Sequence, residues 1–128
     1  MRVVISAGGT GGHIYPALAI INKIKDIEPN SSFLYIGTTD RMEKDIIPEL
    51  GIPYVGIEMK GINRKKILDN VKVLLMYRKA IKKAKEEIKK FKPDVVLGVG
   101  GYITAPVIIA AHKAGYKTVI HEQNFNII

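Results

Sequence analysis

Ser6-Ala7-Gly8-Gly9-Thr10-Gly11-Gly12-His13-Ile14-Tyr15-Pro16 decides how the other residues of this 128-residue chain are read. It follows an apolar, β-branched run, Val3-Val4-Ile5, and leads into the helical pattern of Ala17-Leu18-Ala19-Ile20-Ile21. A strand, a glycine-dense turn and a helix start in that order make an anion-binding device. Glycine lets the backbone take positive φ and approach a ligand closely. The unpaired N–H groups and dipole of the helix N-terminus then favour negative charge, most often phosphate. Neither of the two commonest phosphate loops fits. A dinucleotide fingerprint needs glycine where Ile14 stands, and a Walker loop needs Gly-Lys-Ser/Thr where Gly12-His13-Ile14 stands. The expected ligand is a phosphorylated group or the sugar beside it.

Outward from this turn, strand and helix signals alternate. Residues 2–7 read as a buried strand, and residues 12–26 as a helix that tolerates Pro16 in its first turns. Glu28-Pro29-Asn30 breaks that helix, and Phe33-Leu34-Tyr35-Ile36-Gly37 is a second strand. Asp40 and Glu43 have capping-box spacing ahead of a helix from Met42 to Leu50. Gly51 closes it, and residues 53–57 form a third strand. The longest helical pattern runs over residues 65–91. Ile67, Val71, Leu74, Tyr77, Ile81, Ala84 and Ile88 are expected on its core-facing stripe. Residues 94–98 are a fourth strand and Gly98-Val99-Gly100-Gly101-Tyr102 a second glycine turn. A helix over residues 103–114 and a fifth strand over residues 117–121 complete the pattern.

This alternation predicts one α/β domain, a Rossmann-like doubly wound parallel sheet with right-handed crossovers and strand order 3-2-1-4-5. Ligands of such sheets sit beyond the carboxyl ends of the strands, where strand order reverses. Three polar, irregular stretches then share one rim: residues 8–13, residues 98–102, and His121-Glu122-Gln123-Asn124. His13 is either a helix-start residue bonded to a neighbouring carbonyl or a proton acceptor, since imidazole titrates near neutral pH. Glu122 and Gln123 form a further polar site or merely a solvated loop. Metal binding is not supported, because His121 and Glu122 are adjacent and lack a ligand spacing. No cofactor is expected.

Composition narrows the setting. An apolar share of 47% and a charged share of 25% are ordinary for a globular protein, and the absence of cysteine excludes disulfides and thiolate metal sites. No signal peptide or run of about 20 apolar residues is seen, which points to a cytoplasmic protein. Net charge is +8, but it is concentrated: thirteen Lys/Arg between Lys60 and Lys92 face only Asp69, Glu86 and Glu87. Leu68, Leu75 and Met76 fall off the expected core stripe, on the side of Lys65, Lys72 and Lys79. Apolar residues among lysines suit an anionic membrane surface. Nucleic acid is not expected, as no aromatic interleaving or recognition motif is present.

Three of these stretches also carry a resemblance. Gly8-Gly9-Thr10-Gly11-Gly12-His13, residues 94–102 and His121-Glu122-Gln123-Asn124, together with Gly37-Thr38-Thr39-Asp40-Arg41-Met42-Glu43, stand in the order and spacing of the MurG family. The chain resembles the N-terminal half of that family over essentially its whole length. The resemblance implies half of a two-domain GT-B glycosyltransferase that inverts at the anomeric carbon. Such an enzyme moves N-acetylglucosamine from UDP-N-acetylglucosamine to lipid I, an undecaprenyl-pyrophosphate-linked acceptor, to form lipid II for peptidoglycan.

By the same resemblance, Gly8, Gly9, Gly11 and Gly12, with Gly100, Gly101 and Tyr102, would hold the acceptor pyrophosphate. Thr10, Gly11, Gly12 and Asn124 would lie near the donor, and His13 would be the catalytic base. The domain would dock on the cytoplasmic face of the cell membrane. The resemblance also leads one to expect a C-terminal donor-binding domain, absent from residues 1–128, so these residues by themselves are expected to lack transferase activity. A non-catalytic membrane-surface module, a subunit of a split enzyme, and a transferase for another lipid-linked acceptor stand as alternatives.

Overall fold

A computed structural model describes residues 1–8, 11–59 and 71–121 of the chain. Strands and helices alternate: β1 (Arg2–Ser6), α1 (Gly11–Ile27), β2 (Ser32–Thr38), α2 (Glu43–Glu49), β3 (Tyr54–Ile57), α3 (Val71–Phe91), β4 (Val95–Gly98), α4 (Thr104–Lys113) and β5 (Thr118–Ile120). All strand pairings are parallel, and the order is β3-β2-β1-β4-β5, as the sequence predicts. Strand order reverses at the β1–β4 pair, where Ser6 stands opposite Gly98.

Both faces of the sheet are covered, so neighbouring apolar residues on one strand serve different cores. Val3, Ile5, Phe33 and Tyr35 point to one face and pack with Ile14, Ala17 and Ile21 of α1 and Ile47 of α2. Val4, Leu34, Ile36 and Val96 point to the other and meet Ala80, Ala84 and Ile88 of α3 and Val107, Ala110 and Ala111 of α4. Each fully buried Ile or Val contributes about 1.5–3 kcal/mol by leaving water. The alanines let α3 and α4 lie close to the sheet.

Two expectations need correction. Asp40 and Glu43 do not form a capping box. α2 starts at Glu43, its N-cap is Met42, and no side chain caps it. The Glu43 carboxylate instead accepts the Thr38 amide at 3.0 Å and the Thr38 hydroxyl at 2.7 Å. The strand end offers two donors at once, which a helix-start amide cannot match.

The stripe on α3 is also mis-phased in its first turns. Val71 and Leu74, expected in the core, are 71% and 51% exposed. Tyr77, Ile81, Ala84 and Ile88 do face the core, joined by buried Ala80. Ile67 lies outside the described residues. A helix has a core face only where something covers it; among the described residues α3 reaches the core through Tyr77, Ala80, Ile81, Ala84 and Ile88, whereas Val71 and Leu74 stay exposed.

Candidate functional site

The rim is built by backbone. Beyond the last β1–β4 pair the two turns continue the ladder: the Val99 amide donates to Ser6 O at 2.8 Å and the Gly8 amide to Gly100 O at 3.2 Å. The His121 amide donates to Gly98 O at 2.8 Å, which ties the end of β5 to the same rim. Gly100 and Gly101 have φ of +121° and +91°, a region that L side chains rarely adopt. A Cβ on Gly101 would collide with Gly8 O and stand 3.0 Å from Gly8 C. The two glycine turns are therefore in backbone contact. Thr104, at the start of α4, locks the second turn: its hydroxyl donates to Gly100 O at 2.9 Å and accepts the Gly100 amide at 3.3 Å.

His13 lies in the first turn of α1, half-buried, with Nδ1 3.3 Å from Gly8 O. A carbonyl can only accept, so Nδ1 carries the proton in this bond and the basic lone pair of the neutral ring is on Nε2. Nε2 faces the second turn, where a Cβ on Gly100 would stand 2.8 Å from it. The bond to a neighbouring carbonyl, the first of the two sequence readings of His13, is present. Gly11 and Gly12 open α1, a 17-residue helix, and the first-turn amides of a helix point out along its axis.

A second polar chain reaches this rim from β2. Thr38, Glu43 and Arg41 are linked because the Thr38 hydroxyl, donating to Glu43, accepts the Arg41 amide at 3.1 Å. Arg41 Nε then donates to the Tyr102 hydroxyl at 2.8 Å, with the guanidinium 5.7 Å from the Tyr102 ring centroid. Below, Tyr35 donates to Ala7 O at 2.7 Å and Tyr54 to Thr38 O at 2.5 Å. Burial and then the Glu43 charge push both phenols well above their ordinary range, so they remain neutral donors.

The structure brings together Gly8, Gly11, Gly12, His13, Gly100, Gly101 and Tyr102. Gly9, Thr10, Glu122, Gln123 and Asn124 lie outside the described residues, as do Lys65 and Leu68. Arg41 and Glu43 were not singled out as site residues, although a polar segment directly after an apolar strand was a usable signal.

The α3 patch is separate from the glycine turns but shares their end of the sheet, because α3 must finish at the amino end of β4. Lys72, Leu75, Met76, Lys79 and Lys83 line a groove of about 470 Å³ against Ile57 and Glu58. Leu75 is half-exposed and Met76 is partly buried. Val71 and Leu74 enlarge the apolar ridge beside them. No described helix is long and apolar enough to cross a membrane.

Residues 3–128 match the model of the glycosyltransferase family 28 N-terminal domain. The chain belongs to this family.

As a family 28 N-terminal domain it is 51% identical over 124 residues to a UDP-N-acetylglucosamine–N-acetylmuramyl-(pentapeptide) pyrophosphoryl-undecaprenol N-acetylglucosamine transferase of Bacillus thuringiensis (strain Al Hakam). It is 52% identical over the same length to the enzyme of that name from Bacillus licheniformis. Each alignment covers 97% of this chain but 34% of the relative, so the family 28 domain spans about a third of those proteins. Among solved structures, Acinetobacter baumannii MurG superposes with a TM-score of 0.82 at 31% identity, covering 96% of this chain and 35% of that one. A UDP-GlcNAc 2-epimerase from Methanocaldococcus jannaschii, at 22% identity and a TM-score of 0.65, shares the fold.

Proposed function

We propose that this domain is the acceptor-binding half of an inverting N-acetylglucosaminyltransferase. Its donor is UDP-N-acetylglucosamine and its acceptor the undecaprenyl-pyrophosphate-linked muramyl sugar of lipid I; the products are lipid II and UDP. The observation that carries this reading is the contact of the two glycine turns around His13. Backbone amides at the start of α1 offer the acceptor pyrophosphate hydrogen bonds and a favourable dipole. Gly8, Gly9, Gly11 and Gly12, with Gly100, Gly101 and Tyr102, form the pyrophosphate cradle in this reading. Thr10, Gly11, Gly12 and Asn124 lie towards the donor, which a C-terminal domain holds. The names of the Bacillus relatives support both substrates.

In the transfer, His13 Nε2 takes the proton of the acceptor hydroxyl as its oxygen attacks the anomeric carbon. The bond from that carbon to the UDP oxygen breaks, and UDP departs with its electron pair. The bond from Nδ1–H to Gly8 O keeps the ring in the required tautomer and orientation. Base catalysis of this kind contributes on the order of 10²- to 10⁴-fold. The exposed ridge of Val71, Leu74 and Leu75 with Lys72 and Lys79 docks the domain on the cytoplasmic membrane face, where the lipid-linked acceptor resides. That ridge also favours a second reading, a membrane-surface module that binds the pyrophosphate without catalysis.

Transfer of labelled N-acetylglucosamine to a lipid I analogue separates the two. Activity that requires an added family donor domain, and that falls at least about 100-fold in His13→Ala with acceptor affinity retained, supports the enzyme half. Acceptor binding with no transfer in either arrangement leaves the binding module.

A further inference from the structure

Glu43 is fully buried, yet it opens a helix at the rim of the sheet, where a carboxylate could reach water. Its side chain turns back beneath the β2 end. A Cβ on Gly37 would stand 2.7 Å from Glu43 Cγ, and a Cβ on Gly8 would stand 2.5 Å from Glu43 Oε1. Gly37 on β2 and Gly8 in the turn after β1 thus stand as glycines where the Glu43 side chain passes. Burying a carboxylate is unfavourable unless donors meet it, and here the Thr38 amide and hydroxyl do so. A helix cap would explain neither the direction of this side chain nor the space cleared at Gly8, in the turn after β1.

We infer that Glu43 is a positioning residue for the glycine turn after β1. Its carboxylate stands behind Gly8, whose carbonyl accepts a hydrogen bond from His13 Nδ1 and whose amide donates to Gly100 O. Through Thr38 it also sets the Arg41 backbone, and with it the Arg41–Tyr102 bond on the opposite wall. One buried carboxylate therefore braces both walls of the cradle without touching substrate. The catalytic consequence rests on the acceptor-turn reading proposed above; the structural one does not.

The test uses Glu43→Ala and Glu43→Gln, the latter keeping an oxygen that accepts both Thr38 donors. Amide exchange is measured in the 128-residue chain, and acceptor KM and kcat in the two-domain enzyme. Expected for Glu43→Ala is exchange at Gly8 and Arg41 faster by about tenfold or more, with Val4 and Val96 changed less than about twofold. The acceptor-dependent rate falls by up to about 100-fold while donor KM holds, and Glu43→Gln recovers most of both. Uniformly faster exchange across the sheet, or unchanged protection at Gly8, overturns the inference. If the unsubstituted enzyme makes no product, the glycosyltransferase reading fails, and the exchange pattern alone decides whether Glu43 braces the turn.

Discussion

The His13 ring fills the space that a side chain on Gly100 would need: a Cβ there would stand 2.8 Å from Nε2 and 3.1 Å from Cγ. Gly100 also has φ of +121°. Gly115 has φ of +83° with nothing within 4 Å of its Cβ position. The two glycines therefore separate backbone strain from collision. Gly115→Ala should lose about 1–2 kcal/mol, the penalty of positive φ alone. Gly100→Ala should lose more, with displaced His13 ring resonances. Denaturant titration and NMR of the two variants check this; equal losses would mean that His13 yields freely.

Gly8 and Glu43 should be energetically coupled. Gly8→Ala pushes a methyl group against Glu43 Oε1, whereas in a Glu43→Ala background that obstacle is gone and Ile103 Cγ2 stands at 3.1 Å. A double-mutant cycle in denaturant should give a coupling energy of about 0.5–3 kcal/mol, the range for groups in direct contact. Additive losses would place Glu43 elsewhere in solution.

Alkaline pH should destabilise the fold through its buried tyrosines. Tyr35 and Tyr54 have raised pKa values when folded, chiefly because burial disfavours the phenolate. Their contribution is complete below about pH 10, the unfolded value. Above it the unfolded state loses protons that the folded state keeps, so stability falls by up to about 1.4 kcal/mol per pH unit for each tyrosine. Tyr35→Phe should lose about 1 kcal/mol at pH 7 with the bond to Ala7 O, and should show a shallower decline above pH 10.

Vesicle sedimentation tests the α3 ridge. Replacing Lys72 and Lys79 by glutamine should weaken binding to anionic vesicles by roughly 30-fold, since each basic residue contributes about 1 kcal/mol at such a surface. Leu74→Ser with Leu75→Ser should weaken binding to neutral vesicles as well, because these half-exposed side chains supply the apolar contact. Weak binding that ignores both charge and substitution would leave the ridge as solvated surface.

Much of this molecule follows from local signals. The runs Val3-Val4-Ile5 and Leu34-Tyr35-Ile36, the glycine turns and the breakers at Pro29, Gly51 and Pro93 place every strand. Alternation then leaves few parallel topologies, so the order 3-2-1-4-5 and the meeting of the two turns follow from the sequence. Glycine density marks close backbone approach wherever it occurs, and the Gly8–Gly101 contact is that approach.

What the sequence left open depends on partners far along the chain. Glu43 has the spacing of a helix cap, and only the register of β2 beside β1 shows that Thr38 and the space behind Gly8 compete for its carboxylate more strongly. Val71 and Leu74 have the spacing of a core stripe, but helical periodicity defines a face without saying what covers it. Among the described residues α4 and the sheet bury the later turns of α3, at Ala80, Ala84 and Ile88, and leave Val71 and Leu74 exposed. The elements were determined by the sequence itself; which polar group is buried, and which apolar face meets water, was decided by the tertiary packing that sets where each group's neighbours stop.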